Sequence, residues 1–243
     1  MNYVDRTESL FQHFPVSQRL PLRTYRPDDR LFDQFDDARS LFLVREGMVR
    51  HSVESPEGKR FNLGFVTAAR PVLLGIDALF TLYNSQMSQY QSIAQAMSPV
   101  KAQRIDLEYI AEKSNKSNTD QASNFSLELM LHMTSVIKSR HKRLLEISYL
   151  NVFDRVMTGL PEIANMISPH LNGEHPSVIT GLTQTDIAEY FGVSRSCLNT
   201  VLQDLNNRGF ITLTKGGITL TDPELMYLYP AAVRKVCSGK AQI

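Results

Sequence analysis

The stretch TQTDIAEYFGVSRSCLNTVLQDL, residues 183–205, carries two helical apolar patterns separated by a glycine. Thr183 is a good N-cap for the first helix, and Asp186 three residues later can complete a capping box. Gly192 can adopt the left-handed conformation that ends a helix, and Ser194 is an N-cap for the next one. The stretch therefore predicts two short helices joined by a tight turn.

The second predicted helix is apolar on one side only. Its apolar residues follow the i, i+3, i+4, i+7 spacing of a buried face: Leu198, Val201, Leu202 and Leu205. Its other side is polar and begins with Arg195, although a helix that only fills a core needs no polar leading edge. The pattern predicts a helix-turn-helix whose second helix enters the DNA major groove by its N-terminal end.

The segment ITLTKGGITLT, residues 211–221, alternates apolar and threonine residues on both sides of a glycine turn. This alternation predicts a β-hairpin, and a helix-turn-helix followed by a hairpin is a winged helix. Lys215 at the tip of the hairpin is suited to lie against a DNA phosphate. A helix pair with a purely structural role, or a winged helix that docks on a protein, is the alternative.

The composition adds little electrostatic support for DNA binding. The chain has 243 residues and a formal net charge of only +1, so the case for nucleic acid rests on local geometry. No run reaches the roughly 18 apolar residues of a membrane span, and MNYVDRTESL lacks the apolar segment of a signal peptide. We expect a cytoplasmic protein without membrane contact. Cys197 and Cys237 are too few for a structural metal site or a disulfide framework.

Residues 20–110 alternate short apolar runs with turn signals and predict strands. Strands are expected in SLFLVREGMVRHSVES, in FNLGFV and on both sides of Ser98-Pro99, with a turn at residues 55–60. The polar segment 112–124 is expected to be a connector. Residues 150–167 predict a helix interrupted near Gly159 and Pro161, and residues 168–181 are expected to be a loop.

A long helical pattern follows the connector. Its apolar residues occupy more than one face, which is typical of a helix that packs both on its own domain and on a second subunit; an internal core helix is the alternative. The basic stretch KSRHKR near its end suits DNA or an acidic partner, or an ordinary solvated helix end. The residues predicted to form the dimerisation face are Phe125, Leu129, Met133, Val136, Arg140 and Leu144.

The sequence LTQTDIAEYFGVSRSCLNTVLQDLNNRGFI resembles the DNA-binding core of the Crp/Fnr superfamily of bacterial transcription regulators. LFLVREGMV, SPEGKRFNLGFV and LLGIDALF resemble the sensor part of that family. The resemblance implies an α+β fold: a β-roll like that of cyclic-nucleotide-binding domains over residues 1–118, a long dimerisation helix over 119–147 and a winged helix-turn-helix over 148–243. It implies a homodimer on an inverted repeat of double-stranded DNA, with RNA polymerase as a further candidate partner.

The resemblance also suggests which residues meet DNA, with Arg195 matching the family's base-reading Arg. Family members with the usual half-site carry Glu and a second Arg where this chain has Ser196 and Thr200, so a different operator is expected. The full predicted DNA-contacting set is Thr183, Gln184, Thr185, Ser194, Arg195, Ser196, Asn199, Thr200 and Lys215.

The sensor positions depart from the family pattern for cyclic nucleotides. Ile76 stands where the family's ribose-binding Glu would be, and Tyr90 and Gln91 stand at its phosphate-binding Arg-Ser pair. An anionic phosphate buried without a cation would carry a large desolvation cost. We therefore expect no cyclic nucleotide and no cofactor. The cysteines of the iron–sulfur branch are absent from the N-terminal part, and His13, His51 and His132 are weak haem candidates.

Cys197 falls in the first turn of the predicted recognition helix, where the helix dipole and Arg195 favour a thiolate. It is a candidate redox thiol, with a half-buried filler as the alternative. The function predicted from the sequence is a homodimeric regulator that is effector-independent or answers a signal other than a cyclic nucleotide. The alternative is a ligand-binding or protein-docking module of the same fold that no longer reads DNA. No catalytic or phosphate-loop motif favours an enzyme.

Overall fold

The computed structural model describes residues 22–69, 72–83, 87–108, 119–168 and 177–226. Side chains are described for these residues except 82–83 and 119–129. The chain divides into two compact units between His141 and Lys142. No helix in the described part of the chain is long and apolar enough to cross a membrane.

The first unit is built of short antiparallel strands with one short and one long helix. Its strands are β1 (Leu22–Tyr25), β2 (Arg30–Phe32), β3 (Ser40–Glu46), β4 (Met48–Glu54), β5 (Arg60–Thr67), β6 (Leu73–Leu74), β7 (Ile93–Ala96) and β8 (Val100–Asp106). Helix α1 (Ala78–Tyr83) lies between β6 and β7 in the chain. Helix α2 (Thr119–Tyr149) begins in this unit and ends in the second.

The strands form two four-stranded sheets, ordered β1-β8-β3-β6 and β2-β7-β4-β5. Both sheets contribute to one apolar core, in which Leu41, Leu43 and Ile105 of the first sheet and Val49 and Ala94 of the second are fully buried. Strand β3 is buried on both of its faces, since residues 40–44 are all buried. The predicted β-roll is confirmed, as are the strands around Ser98-Pro99.

The second unit contains three further helices and a three-stranded sheet. The elements are α3 (Val152–Ile167), β9 (Val178–Thr180), α4 (Gln184–Phe191), α5 (Arg195–Asn207), β10 (Ile211–Thr214) and β11 (Gly217–Leu220). Hairpin β10–β11 pairs Ile211 with Leu220 and Leu213 with Ile218, as the alternating pattern predicts. Tyr190, Phe191, Leu198 and Leu202 fill the core between these elements.

Three predictions about secondary structure are wrong. The expected connector 112–124 is already helical from Thr119, because polar residues are compatible with the first turns of a long helix. Strand β9 lies in the segment expected to be a loop, and it pairs antiparallel with β11. Helix α3 continues through Gly159 and Pro161 without interruption.

Helix α3 tolerates a helix-breaking sequence because its apolar face is fully buried. Proline in a helix interior removes one hydrogen bond and costs about 3 kcal/mol. Val156, Met157, Leu160 and Ile163 are all completely buried around it, and burial of such side chains contributes about 1.5–3 kcal/mol each. Tertiary packing therefore outweighs local propensity here.

Gly159 is required by packing rather than by backbone conformation. A Cβ at this position would overlap the ring of Phe191, which lies directly against the helix. Glycine in a helix costs up to about 1 kcal/mol relative to alanine, so the close approach of the ring must more than offset that cost.

We predict that Gly159→Ala lowers the free energy of unfolding of the second unit by about 1–3 kcal/mol, because overpacking a buried contact exceeds the gain in helix propensity. Urea denaturation followed by circular dichroism measures the change. Gly216→Ala is the control, since a Cβ there meets nothing within 4 Å. Equal stability of Gly159→Ala and wild type would contradict the packing argument.

Candidate nucleic-acid interface

Helix α4 begins with the capping box that the sequence predicts. The Thr183 hydroxyl oxygen accepts a hydrogen bond from the Asp186 backbone N–H at 3.1 Å, and the Asp186 carboxylate accepts from the Thr183 N–H at 2.9 Å. These two bonds satisfy backbone donors that the first turn of a helix leaves without partners. The N-terminus of α4 is thereby fixed, with Thr183 and Thr185 exposed and Gln184 half-buried.

The turn between α4 and α5 depends on Gly192. This residue has φ 65° and ψ 38°, the left-handed conformation that strongly favours glycine, and its N–H bonds back to carbonyls of α4. The Val193 N–H donates to the Ala188 carbonyl at 3.1 Å. Ser194 then caps α5 by accepting from the Cys197 N–H at 3.2 Å. The predicted helix-turn-helix geometry is confirmed.

Helix α5 has one buried and one exposed side. Leu198, Leu202 and Leu205 are completely buried. Because these three residues fix the rotation of the helix about its axis, the polar side must face outward. The exposed residues of that side are Arg195, Ser196, Asn199, Thr200 and Gln203.

Arg195 is the cationic residue of this face. It lies at the first position of α5 and is exposed. In the part of the chain that the structure describes, no carboxylate forms an ion pair with its guanidinium. A guanidinium presented in this way can bind an external acceptor without first breaking an internal ion pair.

Three hydroxyl groups near Arg195 form hydrogen bonds within the start of α5. The Ser194 and Ser196 hydroxyl oxygens lie 3.0 Å apart, and the Thr200 hydroxyl donates to the Ser196 carbonyl at 3.2 Å. Since its proton is used inside the helix, Thr200 presents its oxygen lone pair and its methyl group outward.

The wing is tied to α5 by a side chain that the sequence did not single out. Asn206 of α5 accepts a hydrogen bond from the Leu213 N–H of β10 at 3.1 Å. Thr214 closes the hairpin by donating to the Gly217 carbonyl at 3.1 Å, and leaves Lys215 exposed at the turn. An asparagine just before a helix end is too common a signal to reveal such a contact in advance.

The residues predicted to contact DNA therefore lie at three places in the second unit. These are the start of α4, the first two turns of α5 and the tip of the β10–β11 hairpin. Cys197 is half-buried in α5, and its redox role stays a prediction. Cys237 lies outside the described residues.

In the first unit, the positions that differ from the cyclic-nucleotide pattern bond to their own protein. The Tyr90 hydroxyl donates to the Ser40 carbonyl at 2.7 Å and accepts from the Ser40 N–H at 3.0 Å. The Tyr90 ring stacks on Phe32 with 4.2 Å between centroids, and burial raises the pKa of the phenol. The Gln91 N–H donates to the Asp77 carboxylate at 3.3 Å, and burial raises the pKa of Asp77.

A second polar group joins the sheet β2-β7-β4-β5 to α2. An Arg140 Nη atom lies 3.2 Å from His51 Nδ1, and His51 Nε2 lies 2.7 Å from the Ser92 hydroxyl. Since a guanidinium can only donate, Nδ1 must accept and Nε2–H must donate to Ser92. Burial, with the Arg140 charge second, lowers the pKa of His51 to about 3.

Of the other two haem candidates, His132 and His13, the structure describes only His132. His132 is buried and its pKa is lowered to about 4 by that burial. His13 lies outside the described residues. Within the described ranges, no three His, Cys, Asp or Glu side chains are grouped as metal ligands would be.

The predicted dimerisation residues whose side chains are described differ in exposure. Leu144 is exposed, Met133 and Val136 are half-buried, and the side chains of Phe125 and Leu129 lie outside the described residues. Arg140 is also half-buried and bonds to the first unit, including the Leu63 carbonyl at 3.4 Å. The large apolar side chains exposed on α2 are Met130, Leu131, Ile137, Leu144, Leu145 and Tyr149.

Comparison with known proteins supports the reading of these two units. Residues 155–228 match the model of the Crp-like helix-turn-helix domain. The chain is 22% identical over 206 residues to the fumarate nitrate reduction regulatory protein of Klebsiella oxytoca, covering 85% of this chain and 77% of that protein. The anaerobic regulatory protein of Pasteurella multocida is 22% identical over 192 residues, or 79% and 65% of the two chains.

The chain resembles regulators of the Crp/Fnr superfamily in sequence and in fold, and its second unit carries a Crp-like helix-turn-helix domain. Its fold matches that of the c-di-GMP responsive global regulator CLP of Xanthomonas campestris with a TM-score of 0.71, at 16% identity over 88% of this chain and 99% of that one. FixK2 of Bradyrhizobium japonicum matches with a TM-score of 0.69, at 16% identity over 86% and 96%. These matches support a DNA-binding transcription regulator of the Crp/Fnr type, with the α+β architecture that its sequence predicts.

We predict that His51→Gln reduces the acid sensitivity of the first unit. Below pH 6.5 the unfolded chain protonates this imidazole, whereas the folded protein does so only near pH 3. The free energy of unfolding of the wild type must therefore fall as the pH is lowered between these values, by about 1.4 kcal/mol per pH unit for one proton. His51→Gln removes that contribution to the slope.

Urea denaturation at pH 5.0 and pH 4.0 measures the slope. The matched control is Ser92→Ala, which deletes the hydrogen-bond partner and keeps the imidazole. We expect it to keep the wild-type slope. An unchanged slope in His51→Gln would show that this histidine is not held neutral in the folded protein.

Proposed function

We propose that this Crp/Fnr regulator acts in the cytoplasm as a homodimer that reads an inverted repeat through α5. The observation that carries the proposal is the exposed, unneutralised Arg195 at the N-terminus of a helix whose opposite face is fixed by three buried leucines. A recognition helix enters the major groove by this end, and a dimer places two such helices about 34 Å apart.

Arg195 is the residue proposed to read a base. Its guanidinium can donate two parallel hydrogen bonds to guanine O6 and N7, which contributes roughly 1–3 kcal/mol of discrimination. Thr200, one turn later, presents a hydroxyl acceptor and a methyl group to the same groove. Ser196 and Asn199 complete the exposed surface, and the absence of a second Arg on the described face favours an operator unlike the usual family half-site.

The start of α4 and the wing tip are proposed to hold the DNA backbone. The N-terminus of a helix presents unpaired N–H groups and a partial positive charge, which favour a phosphate. Thr183, Gln184 and Thr185 lie at that position in α4, and Lys215 adds one cation at the hairpin turn. These contacts position the protein without reading sequence.

The exposed apolar residues of α2 support the proposed dimer. Met130, Ile137 and Leu144 recur every seven residues, with exposed fractions of 64%, 51% and 62%. Apolar residues at this heptad spacing are typical of helices that pair along a seam. Met133 and Leu144 stay in the proposed dimer face, whereas Arg140 is better explained by its bonds to His51 and Leu63.

The regulator is proposed to need no cyclic nucleotide. The Tyr90 hydroxyl, at the position of the family's phosphate-binding Arg, is already bonded twice to Ser40, and the phenol carries no positive charge. Asp77 accepts from the Gln91 backbone. Neither Tyr90 nor Gln91 offers a positive charge to an anionic phosphate, and the nearby Arg104 already bonds to Asp106. We therefore propose that the activity of the regulator is controlled by its own abundance or by a signal other than a cyclic nucleotide.

Selection of bound fragments from sheared genomic DNA, at stated salt and with no nucleotide added, tests the function. We predict that wild type recovers an inverted repeat and that Arg195→Ala loses about 30-fold or more in affinity for it, because a guanine contact of roughly 1–3 kcal/mol is lost in each of the two half-sites. Its binding to unrelated DNA should change far less.

The matched control is Lys215→Ala, which should weaken binding to all DNA alike and lower the slope of log K against log salt by about one per protomer. Equal losses of Arg195→Ala on the repeat and on unrelated DNA would exclude base reading by Arg195. Failure of wild type to enrich any repeat would contradict nucleotide-independent operator binding.

We predict that Ile137→Asp dissociates the dimer, because a carboxylate in an apolar seam would be buried without a partner. Sedimentation analysis at micromolar protein measures the mass. Ser139→Asp, an exposed position on a different side of α2, adds the same charge and should leave the dimer intact. Equal masses for the two variants would place the subunit contact elsewhere.

A further inference from the structure

Arg143, in the last part of α2, is buried against the first helix of the DNA-binding pair. Its guanidinium carbon lies 3.5 Å from the centre of the Tyr190 ring in α4, and only 8% of the residue is exposed. Arginine is seldom buried to this extent unless it is paired. A cation on an aromatic face is an attractive interaction that strengthens when both groups are removed from water.

The partner of Arg143 is itself held rigidly. Tyr190 is almost fully buried and packs edge-on against Phe191, with 5.2 Å between ring centroids and 82° between planes. The Phe191 ring in turn lies against Gly159 of α3. Because Tyr190 and Phe191 are closely packed, a displacement of the Arg143 side chain would also displace α4.

Two neighbouring cations reinforce this attachment. Lys142 forms an ion pair with Glu162 of α3. Arg155 of α3 donates to the Ile147 carbonyl of α2 at 3.3 Å. The contacts of Lys142 and Arg155 thus join the end of α2 to α3. Arg143 makes the contact to α4, the helix that positions α5.

Burial lowers the pKa of Arg143 below its usual value, and this lowering outweighs the opposing effects of Tyr190 and Glu146. The flat guanidinium can cover the Tyr190 ring while its edge reaches other groups. A lysine ammonium retains the charge but not the planar contact.

We propose that Arg143 is a positioning residue for operator recognition: its contact with Tyr190 fixes the end of α2 against α4 and thereby sets the half-site spacing that the protein accepts. Arg143 is not placed among the base-reading residues. Its effect reaches DNA through the direction in which α4 and α5 leave the end of α2. The inference rests on the proposed homodimer on an inverted repeat.

The test uses the half-sites that wild type recovers, arranged in a set of DNA fragments that differ only in the number of base pairs between them. A fragment with one half-site completes the set. Full-length wild type, Arg143→Met and Arg143→Lys are compared by competitive binding, after thermal unfolding has verified that each variant is folded. Arg208→Met is the matched control, since Arg208 lies 4.9 Å over the Phe153 ring in the same unit but is exposed.

Arg143→Met is expected to lose about tenfold in affinity at the wild-type spacing, to lose less at neighbouring spacings and to bind the single half-site within about twofold of wild type. Arg143→Lys should recover part of the spacing preference, and Arg208→Met should keep all of it. A general loss of fold would instead lower affinity for the single half-site as well.

An unchanged spacing preference in Arg143→Met would overturn the inference, and so would an equal loss on every fragment, single half-site included. These results differ from failure of the proposed function. In that case wild type itself would show no preference for paired half-sites, and both the dimeric function and the role of Arg143 would be wrong.

Discussion

Phe191 occupies the space that Gly159 leaves open, and the three helices of the DNA-binding unit depend on this fit. The ring closes α4 on α3, and Tyr190 packs edge-on beside it. With α4 fixed, Gly192 in its left-handed conformation sets the direction of the turn, and the three buried leucines of α5 set the rotation of that helix. The outward direction of Arg195 is thus a consequence of buried packing several residues away. Close-packed interiors transmit displacement, so a small change at Gly159 reaches the recognition surface.

In the first unit, buried polar side chains form hydrogen bonds to other groups of the same chain. Tyr90 bonds to Ser40 from both sides of its hydroxyl, and His51 bridges Arg140 and Ser92. Groups satisfied in this way gain little from a new ligand, because binding would first have to break existing hydrogen bonds. These hydrogen bonds therefore support the proposal that the protein needs no cyclic nucleotide.

The sequence was most informative where a local rule acts alone. The capping box of Thr183 and Asp186, the turn at Gly192 and the hairpin of residues 211–220 each follow from residue type and spacing, and all are present. The continuity of α3 could not be predicted, because Pro161 and Gly159 both oppose a helix and only tertiary burial reverses them. Strand β9 is three residues long and pairs with a strand some forty residues away, so its pattern is too short to recognise.

In the candidate site, too, only the features that depend on local spacing could be predicted from the sequence. Arg195 and its exposed neighbours follow from helical periodicity, whereas the contacts of Arg140, Arg143 and Asn206 depend on elements distant in the sequence. Helical periodicity placed Arg140 in the predicted dimer face. A long cationic side chain at the margin of an apolar face can, however, extend towards its own unit as well as towards a second subunit. Its partners, His51 and the Leu63 carbonyl, come from two strands whose position relative to α2 no spacing rule provides.

The near-neutral charge of the chain constrains how such a regulator can work. Non-specific affinity for DNA grows with the number of phosphates that cations neutralise, and a net charge of +1 provides little of it. The proposed homodimer would gain its operator affinity from a small number of well-directed contacts, duplicated by the second subunit. Duplication helps only if both recognition helices meet their half-sites together, which requires a stiff connection between the subunit contact and the recognition helix. The role proposed for Arg143 at the end of α2 answers this requirement, which is stricter for a weakly charged regulator than for a strongly basic one.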